Sequence, residues 1–149
     1  MTQPSDPRQS AEMADPTSRA GSTYPLDNPA LESLGVRITA WSEGRVALEL
    51  PLLPTMLNRS GVVHGGTICA LLDAATGYAG LYAPDHDAAR HAVTLSLTTN
   101  FLANGVGRML TAVGEVERSG KSIFFSRAEA WLDGSLLVAT GVATMKYIR

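Results

Sequence analysis

A single carboxylate inside an apolar helical pattern is the side chain best placed to do chemistry in this sequence. Asp73 lies in a run whose bulky residues recur at spacings of three and four, which predicts a helix with a buried face of Ile68, Leu71, Leu72, Ala75 and Ala79. At about 3.6 residues per turn, Asp73 projects from another side of this helix. The residues predicted around it there are small, namely Gly66, Cys69, Ala70, Thr76, Gly77 and Gly80. Such a face admits a ligand or another backbone, and helix packing is the alternative interpretation.

Two glycines stand where this helix is predicted to begin. Backbone N–H groups in a first helical turn lack partners and lie at the positive end of the helix dipole, and neither Gly65 nor Gly66 has a Cβ to shield them. This arrangement suits a developing oxyanion. We therefore take the Gly65 N–H as the candidate oxyanion donor.

A carboxylate and one N–H donor can suffice to cleave a carbonyl compound whose leaving group departs without assistance. The carboxylate of Asp73 can act as a general base on water, or it can attack the carbonyl itself. The sequence leaves both roles open.

The order of residues around this helix resembles a known family. Asn58, Gly61, His64-Gly65-Gly66 and Leu72-Asp73 resemble hotdog-fold acyl-CoA thioesterases, specifically the phenylacetic-acid-degradation branch of the 4-hydroxybenzoyl-CoA thioesterase superfamily. The resemblance implies an acyl-CoA or aryl-CoA substrate, and it makes the glycine directly after the histidine the oxyanion donor. Gly66 is then expected to permit close packing. The resemblance also implies homodimers, often paired into homotetramers, with the active site in the groove between two subunits.

Three further residues enter the candidate site. By resemblance Asn58 orients the water or the thioester, although a turn residue is the alternative. His64 has no partners for a catalytic triad, and we expect it to shape the site. In a relative of this family, a hydroxyl at the position of Thr94 points at the water from across the dimer, whereas threonine is also an ordinary strand residue.

Two sets of residues are candidates for binding the rest of the substrate. Coenzyme A phosphates could be held by a turn with two cations and a hydroxyl, namely Arg118, Gly120, Lys121 and Ser122, which is otherwise a solvated hairpin turn. Arg90 and His91 are weaker candidates of the same kind. The acyl group, aromatic or medium aliphatic, could be lined by Met56, Leu57, Tyr78 and Tyr82.

The elements that must position these residues follow from periodicity. We predict a flexible N-terminal arm over residues 1–24 and one domain over residues 25–149, which begins with a short helix and a hairpin. After the central helix and a break at residues 84–87, a four-stranded meander is expected, whose first strand buries Val93, Leu95 and Leu97. The fold class is α+β, with an antiparallel sheet of five to six strands around one long helix, as in the hotdog fold. Exposed strand edges and the small-residue face predict at least a homodimer.

Composition excludes several other functions. The net charge of −2 and the lack of a basic run argue against nucleic acid, and no apolar run is long enough for a membrane span. With Cys69 as the only cysteine, we expect a cytoplasmic protein. His64, His86 and His91 lack zinc-ligand spacing, so neither a metal nor another cofactor is expected beyond the coenzyme A of the substrate. The alternatives are a hotdog acyl-thioester dehydratase or hydratase and a non-catalytic acyl-CoA binding protein.

Overall fold

The computed structural model describes residues 24–84 and 90–148. The arm predicted over residues 1–24 lies outside the described residues except for Tyr24, which forms an antiparallel bridge with Ile38. His86 and most of the break predicted after the central helix also lie outside them.

Two helices and six strands make up the described chain. The helices are α1, Pro29–Leu34, and α2, Gly65–Ala79, and the strands are β1, Arg37–Ser42; β2, Arg45–Pro51; β3, His91–Phe101; β4, Met109–Ser119; β5, Ile123–Leu132; and β6, Leu136–Ile148. A 3-10 turn, Pro54–Met56, precedes the loop to α2. These elements confirm the predicted α+β fold class. No helix within the described ranges is long and apolar enough to cross a membrane.

The strands form one antiparallel sheet in the order β1-β2-β4-β5-β6-β3. The last three strands are a meander, as predicted, but β3 pairs with β6 and not with β4. The predicted four-stranded meander is therefore wrong. Both sides of β4 are already occupied, by β2 and β5, and β3 joins the sheet at the free edge of β6.

An irregularity in β3 decides which of its side chains face α2. The register with β6 shifts between Thr94 and Ser96, so Thr94 pairs with buried Met145 while Val93 pairs with exposed Lys146. Val93 and Leu95 are 44% and 53% exposed, so the prediction that they are buried with Leu97 is wrong. A bulge reverses the inward and outward alternation of a strand, which a reading of strict alternation misses.

The core lies between α2 and one face of the sheet. The predicted buried face of α2 is confirmed, since Ile68, Leu71, Leu72, Ala75 and Ala79 are all buried. Small residues of the sheet allow the helix to approach closely, and the closest approach is at Gly114 of β4. A Cβ on Gly114 would lie 2.1 Å from the carbonyl oxygen of Ala75.

Substitution of Gly114 by alanine is expected to separate α2 from the sheet and to destabilise the fold. The added methyl group meets backbone, which cannot rotate away, so we expect a loss of about 3 kcal/mol or more in the free energy of unfolding. Gly141→Ala is the matched control, because its Cβ would meet only side-chain atoms at 3.5 Å or more. Chemical denaturation of both variants measures the difference, and equal stabilities would contradict the expectation.

Candidate active site

Asp73 and Thr94 form the one direct contact among the predicted catalytic side chains. The Thr94 hydroxyl donates to Asp73 Oδ1 over 2.7 Å, within the same chain. The resemblance places a hydroxyl at this position across a dimer, whereas this hydrogen bond lies within one chain. One carboxylate oxygen is held in place, which fixes the orientation of the other.

A cavity of about 660 Å³ lies next to this pair and is lined by both residues. Asp73 is half-buried, on the side of α2 that faces away from the core. The carboxylate is therefore accessible to a ligand.

The predicted oxyanion donor stands at the first position of α2. His64 is the N-cap, and its Nδ1 accepts from the Gly66 N–H over 2.9 Å. A Cβ on Gly66 would lie 2.8 Å from the His64 ring, so the expectation that Gly66 permits close packing is confirmed. No hydrogen-bond acceptor within the described residues takes up the Gly65 N–H. His64 thus shapes the helix start and leaves one donor free.

Asn58 closes the loop that leads to His64. Its Oδ1 accepts from the N–H groups of Ser60 and Val62, at 2.8 and 3.3 Å, and its carbonyl oxygen accepts from Gly61. Gly61 has a φ of 77°, which suits glycine. The turn role weighed for Asn58 is therefore present, and its Nδ2 group remains as a donor.

The two halves of the predicted site lie at different positions along α2. Gly65 precedes Asp73 by eight residues, which separates them by about 12 Å at 1.5 Å per residue. Asp73 and Thr94 line the cavity, while Asn58, His64 and Gly65 do not. The base or nucleophile acts on the carbonyl carbon and the donor acts on the carbonyl oxygen, and these two atoms are only about 1.2 Å apart. Asp73 and Gly65 of one chain are therefore too far apart to act on the same thioester.

The small-residue face around Asp73 is narrower than predicted. Thr76 is fully buried, and its carbonyl oxygen accepts a hydrogen bond from the buried Ser126 hydroxyl. Gly80 packs on Phe124 of β5, where a Cβ would lie 2.4 Å from the ring. These two residues face the sheet, whereas Ala70 and Gly77 line the cavity with Asp73.

A comparison with models of protein families shows the family to which the chain belongs. A profile of the Thioesterase superfamily matches residues 60–139, a segment that contains both Gly65 and Asp73. The chain belongs to the Thioesterase superfamily. Thioester hydrolysis is the reaction that this membership assigns to it.

Individual relatives agree with this assignment. The thioesterase is 26% identical to the PaaI protein of the Escherichia coli phenylacetic acid degradation operon, with a TM-score of 0.73 over 83% of this chain and 86% of that one. A thioesterase family protein from Silicibacter pomeroyi is 28% identical, with a TM-score of 0.72 over 81% and 90%. The medium/long-chain acyl-CoA thioesterase YigI of Salmonella typhimurium is 24% identical over 140 residues, 83% of this chain and 88% of that protein. The hotdog fold of the thioesterase is thereby confirmed.

The candidate phosphate-binding residues of the thioesterase lie at the β4–β5 turn. Arg118, Gly120, Lys121 and Ser122 are exposed and do not line the Asp73 cavity of their own chain. Arg90 and His91 do line it, and the Arg90 guanidinium lies 5.7 Å above the ring of Tyr147. Tyr147 in turn contacts the hydroxyl of Ser119 at the β4–β5 turn. The two residues weighed as weaker candidates, Arg90 and His91, are therefore the ones that share the cavity with Asp73.

The residues predicted to line an acyl pocket are mostly elsewhere. Tyr78 lines the cavity, but Met56, Leu57 and Tyr82 do not. Met56 and Leu57 pack in or against the core, and Tyr82 packs on Trp41. Sequence reasoning missed the contribution of α1, whose Leu31 and Leu34 form part of the cavity wall. Their spacing within α1 signalled only an apolar side.

Proposed function

We propose that this thioesterase hydrolyses an acyl-CoA or aryl-CoA thioester to the free acid and coenzyme A, as a member of the phenylacetic-acid-degradation type branch. The observation that carries the proposal is the Asp73 carboxylate, oriented by the Thr94 hydroxyl at the wall of a cavity large enough for a ligand. The structural similarity to PaaI supports the choice of branch.

In the proposed reaction Asp73 supplies the negative charge that drives attack on the thioester. Its oxygen that is not bound to Thr94 either takes a proton from water, whose oxygen attacks the carbonyl carbon, or attacks that carbon itself. The second route gives a mixed anhydride with Asp73, which water then hydrolyses to the free acid. The carbonyl oxygen becomes an oxyanion and is stabilised by the Gly65 N–H, whose neighbours His64 and Gly66 fix its position. Collapse of the intermediate expels the coenzyme A thiolate, and no cofactor takes part.

The complete site in this proposal is formed by two chains. Two α2 helices that run antiparallel across a two-fold axis near Cys69 bring Asp73 of each next to Gly65 of the other. The edge position of β3 and its exposed Val93 and Leu95 support such an interface. We propose a homodimer as the catalytic unit, with a homotetramer as a pair of such units.

The substrate's coenzyme A would extend from Asp73 toward two groups of candidate phosphate-binding residues. Arg90 and His91 are next to the cavity, and Arg118, Lys121, Gly120 and Ser122 follow at the β4–β5 turn. Arginine and lysine suit phosphate groups by charge and by hydrogen bonding. The cytoplasmic location expected from the sequence stays a prediction.

Purified protein is expected to release free thiol from at least one member of an acyl-CoA panel. The panel contains phenylacetyl-CoA, hydroxybenzoyl-CoA and fatty acyl-CoA from short to medium length, and thiol release is followed with a chromogenic reagent. Tight binding of a panel member without release would favour the binding-protein alternative. Reversible addition of water to an enoyl-CoA without thiol release would favour the hydratase. Either result would overturn the proposal.

A further inference from the structure

The cavity beside Asp73 lies between α1 and α2. Its wall on α2 is formed by Ala70, Ala74 and Gly77, which leave space in front of the helix. Its opposite wall includes Leu31 and Leu34 of α1. We propose that the acyl group of the substrate lies between these walls, and that α1 is the element that selects it. This inference rests on the proposed thioesterase function and names its substrate class.

The α1 wall is held in a fixed position relative to α2. Leu31 is buried in the main core cluster, and Leu34 packs against that cluster. The Tyr78 hydroxyl of α2 donates to Asp27 Oδ1 over 2.8 Å, just before α1. Burial and this carboxylate raise the pKa of Tyr78, so the phenol stays protonated as the donor. A wall with these contacts defines a pocket of definite width.

Trp41 of β1 also lines the cavity and ties it to α2. Its indole Nε1 donates to the carbonyl oxygen of Tyr78 over 2.8 Å, and its ring packs edge-on against the Tyr78 ring. This contact adds a rigid aromatic surface to the aliphatic side chains of α1. The two aromatic rings favour an apolar acyl group.

The lining defines the class of acyl group. Most of the lining contributed by α1, α2 and Trp41 is aliphatic or aromatic, and the carboxylate of Asp27, just before α1, would repel a second carboxylate on the acyl group. The whole cavity of about 660 Å³ also has to admit the thioester end of the coenzyme A arm. The space therefore fits an uncharged aryl group or a medium-length alkyl chain.

The test narrows and widens this space without touching Asp73. Ala74→Leu fills the space from the α2 side, and we expect kcat/KM for phenylacetyl-CoA or octanoyl-CoA to fall roughly 10- to 100-fold. Activity toward propionyl-CoA, whose acyl chain is shorter, should fall less, so the ratio of the two kcat/KM values reports the effect on chain length. Leu34→Ala widens the space from the α1 side and should raise the ratio of kcat/KM for dodecanoyl-CoA over octanoyl-CoA.

The controls separate this inference from the function on which it rests. Ala40→Leu makes the same change at an exposed position of β1 outside the cavity lining and should leave all ratios unchanged. Wild-type protein that cleaves no acyl-CoA would overturn the proposed function. Active wild-type protein with unchanged acyl-chain ratios in both variants would overturn the acyl site alone. If the Ala74→Leu variant shows no cooperative melting transition, the acyl site is tested by Leu34→Ala alone, through its ratio of kcat/KM for dodecanoyl-CoA over octanoyl-CoA.

Discussion

Replacement of Asp73 by asparagine is expected to lower kcat for thioester hydrolysis by roughly 10²- to 10⁴-fold, the range measured for loss of a general acid or base. Asparagine keeps the size of the side chain and an oxygen that can accept the 2.7 Å hydrogen bond from Thr94. The substitution therefore removes the negative charge and little else. Steady-state kinetics on the best panel substrate provide the measurement, and the affinity for a non-cleavable substrate analogue should change little.

Asp133→Asn is the matched control for this experiment. Asp133 lies in the β5–β6 turn, where its Oδ1 accepts from the N–H groups of Arg108 and Met109. These two bonds lower the pKa of Asp133, and asparagine can accept the same bonds. Asp133→Asn should leave kcat unchanged. A turnover of Asp73→Asn equal to that of the wild type would refute the assignment of Asp73.

Replacement of Gly65 by proline is expected to lower kcat by about 10²- to 10³-fold, the usual cost of losing one oxyanion-hole donor. Proline lacks the N–H, and it is well tolerated at the first position of a helix, where that N–H has no helical partner. His64, with φ −65° and ψ 134°, already has the extended conformation that a residue before proline requires. The change thus deletes the donor while it preserves the helix start.

Gly65→Ala is the control for the atoms that proline adds. A Cβ at this position would lie 3.3 Å from Cζ of the Phe101 ring, which is 55% exposed and can move slightly. Alanine keeps the N–H, so its kcat should stay close to that of the wild type. Equal losses for alanine and proline would show that packing and not the donor is responsible.

The same variants test the site between two chains. In a heterodimer of Asp73→Asn and Gly65→Pro chains, one of the two sites combines an intact Asp73 with an intact Gly65 from the other chain. Co-expression with random pairing should therefore restore about a quarter of wild-type activity, because half the dimers carry one intact site of two. Activity no higher than that of the separate variants would exclude a shared site.

Much of the architecture could be predicted because local patterns dictate it. Asn28, Pro29 and Gly35 place the start and end of α1, and the structure shows the Asn28 side chain accepting from the N–H groups of Ala30 and Leu31. The Asp133-Gly134 pair between β5 and β6 is a local turn signal of the same kind, and both residues have positive φ. Signals of this kind act over a few residues and need no knowledge of the rest of the chain.

The pairing of β3 could not be predicted in this way. A long alternating run indicates a strand but not its neighbour, since pairing depends on which edges the other strands leave free. The bulge after Thr94 is likewise invisible in a pattern of alternating apolar residues, and it is what turns the Thr94 hydroxyl toward Asp73.

The sequence by itself determined α2, its buried face and the two groups on it, the Gly65 N–H and the Asp73 carboxylate, because helical periodicity and helix-start chemistry are local. Only the tertiary structure decided that Thr94 of the same chain orients Asp73, and that α1 forms a wall of the cavity beside it. These contacts join residues about 20 to 45 positions apart in the chain, and their geometry comes from the packing of whole elements on one core.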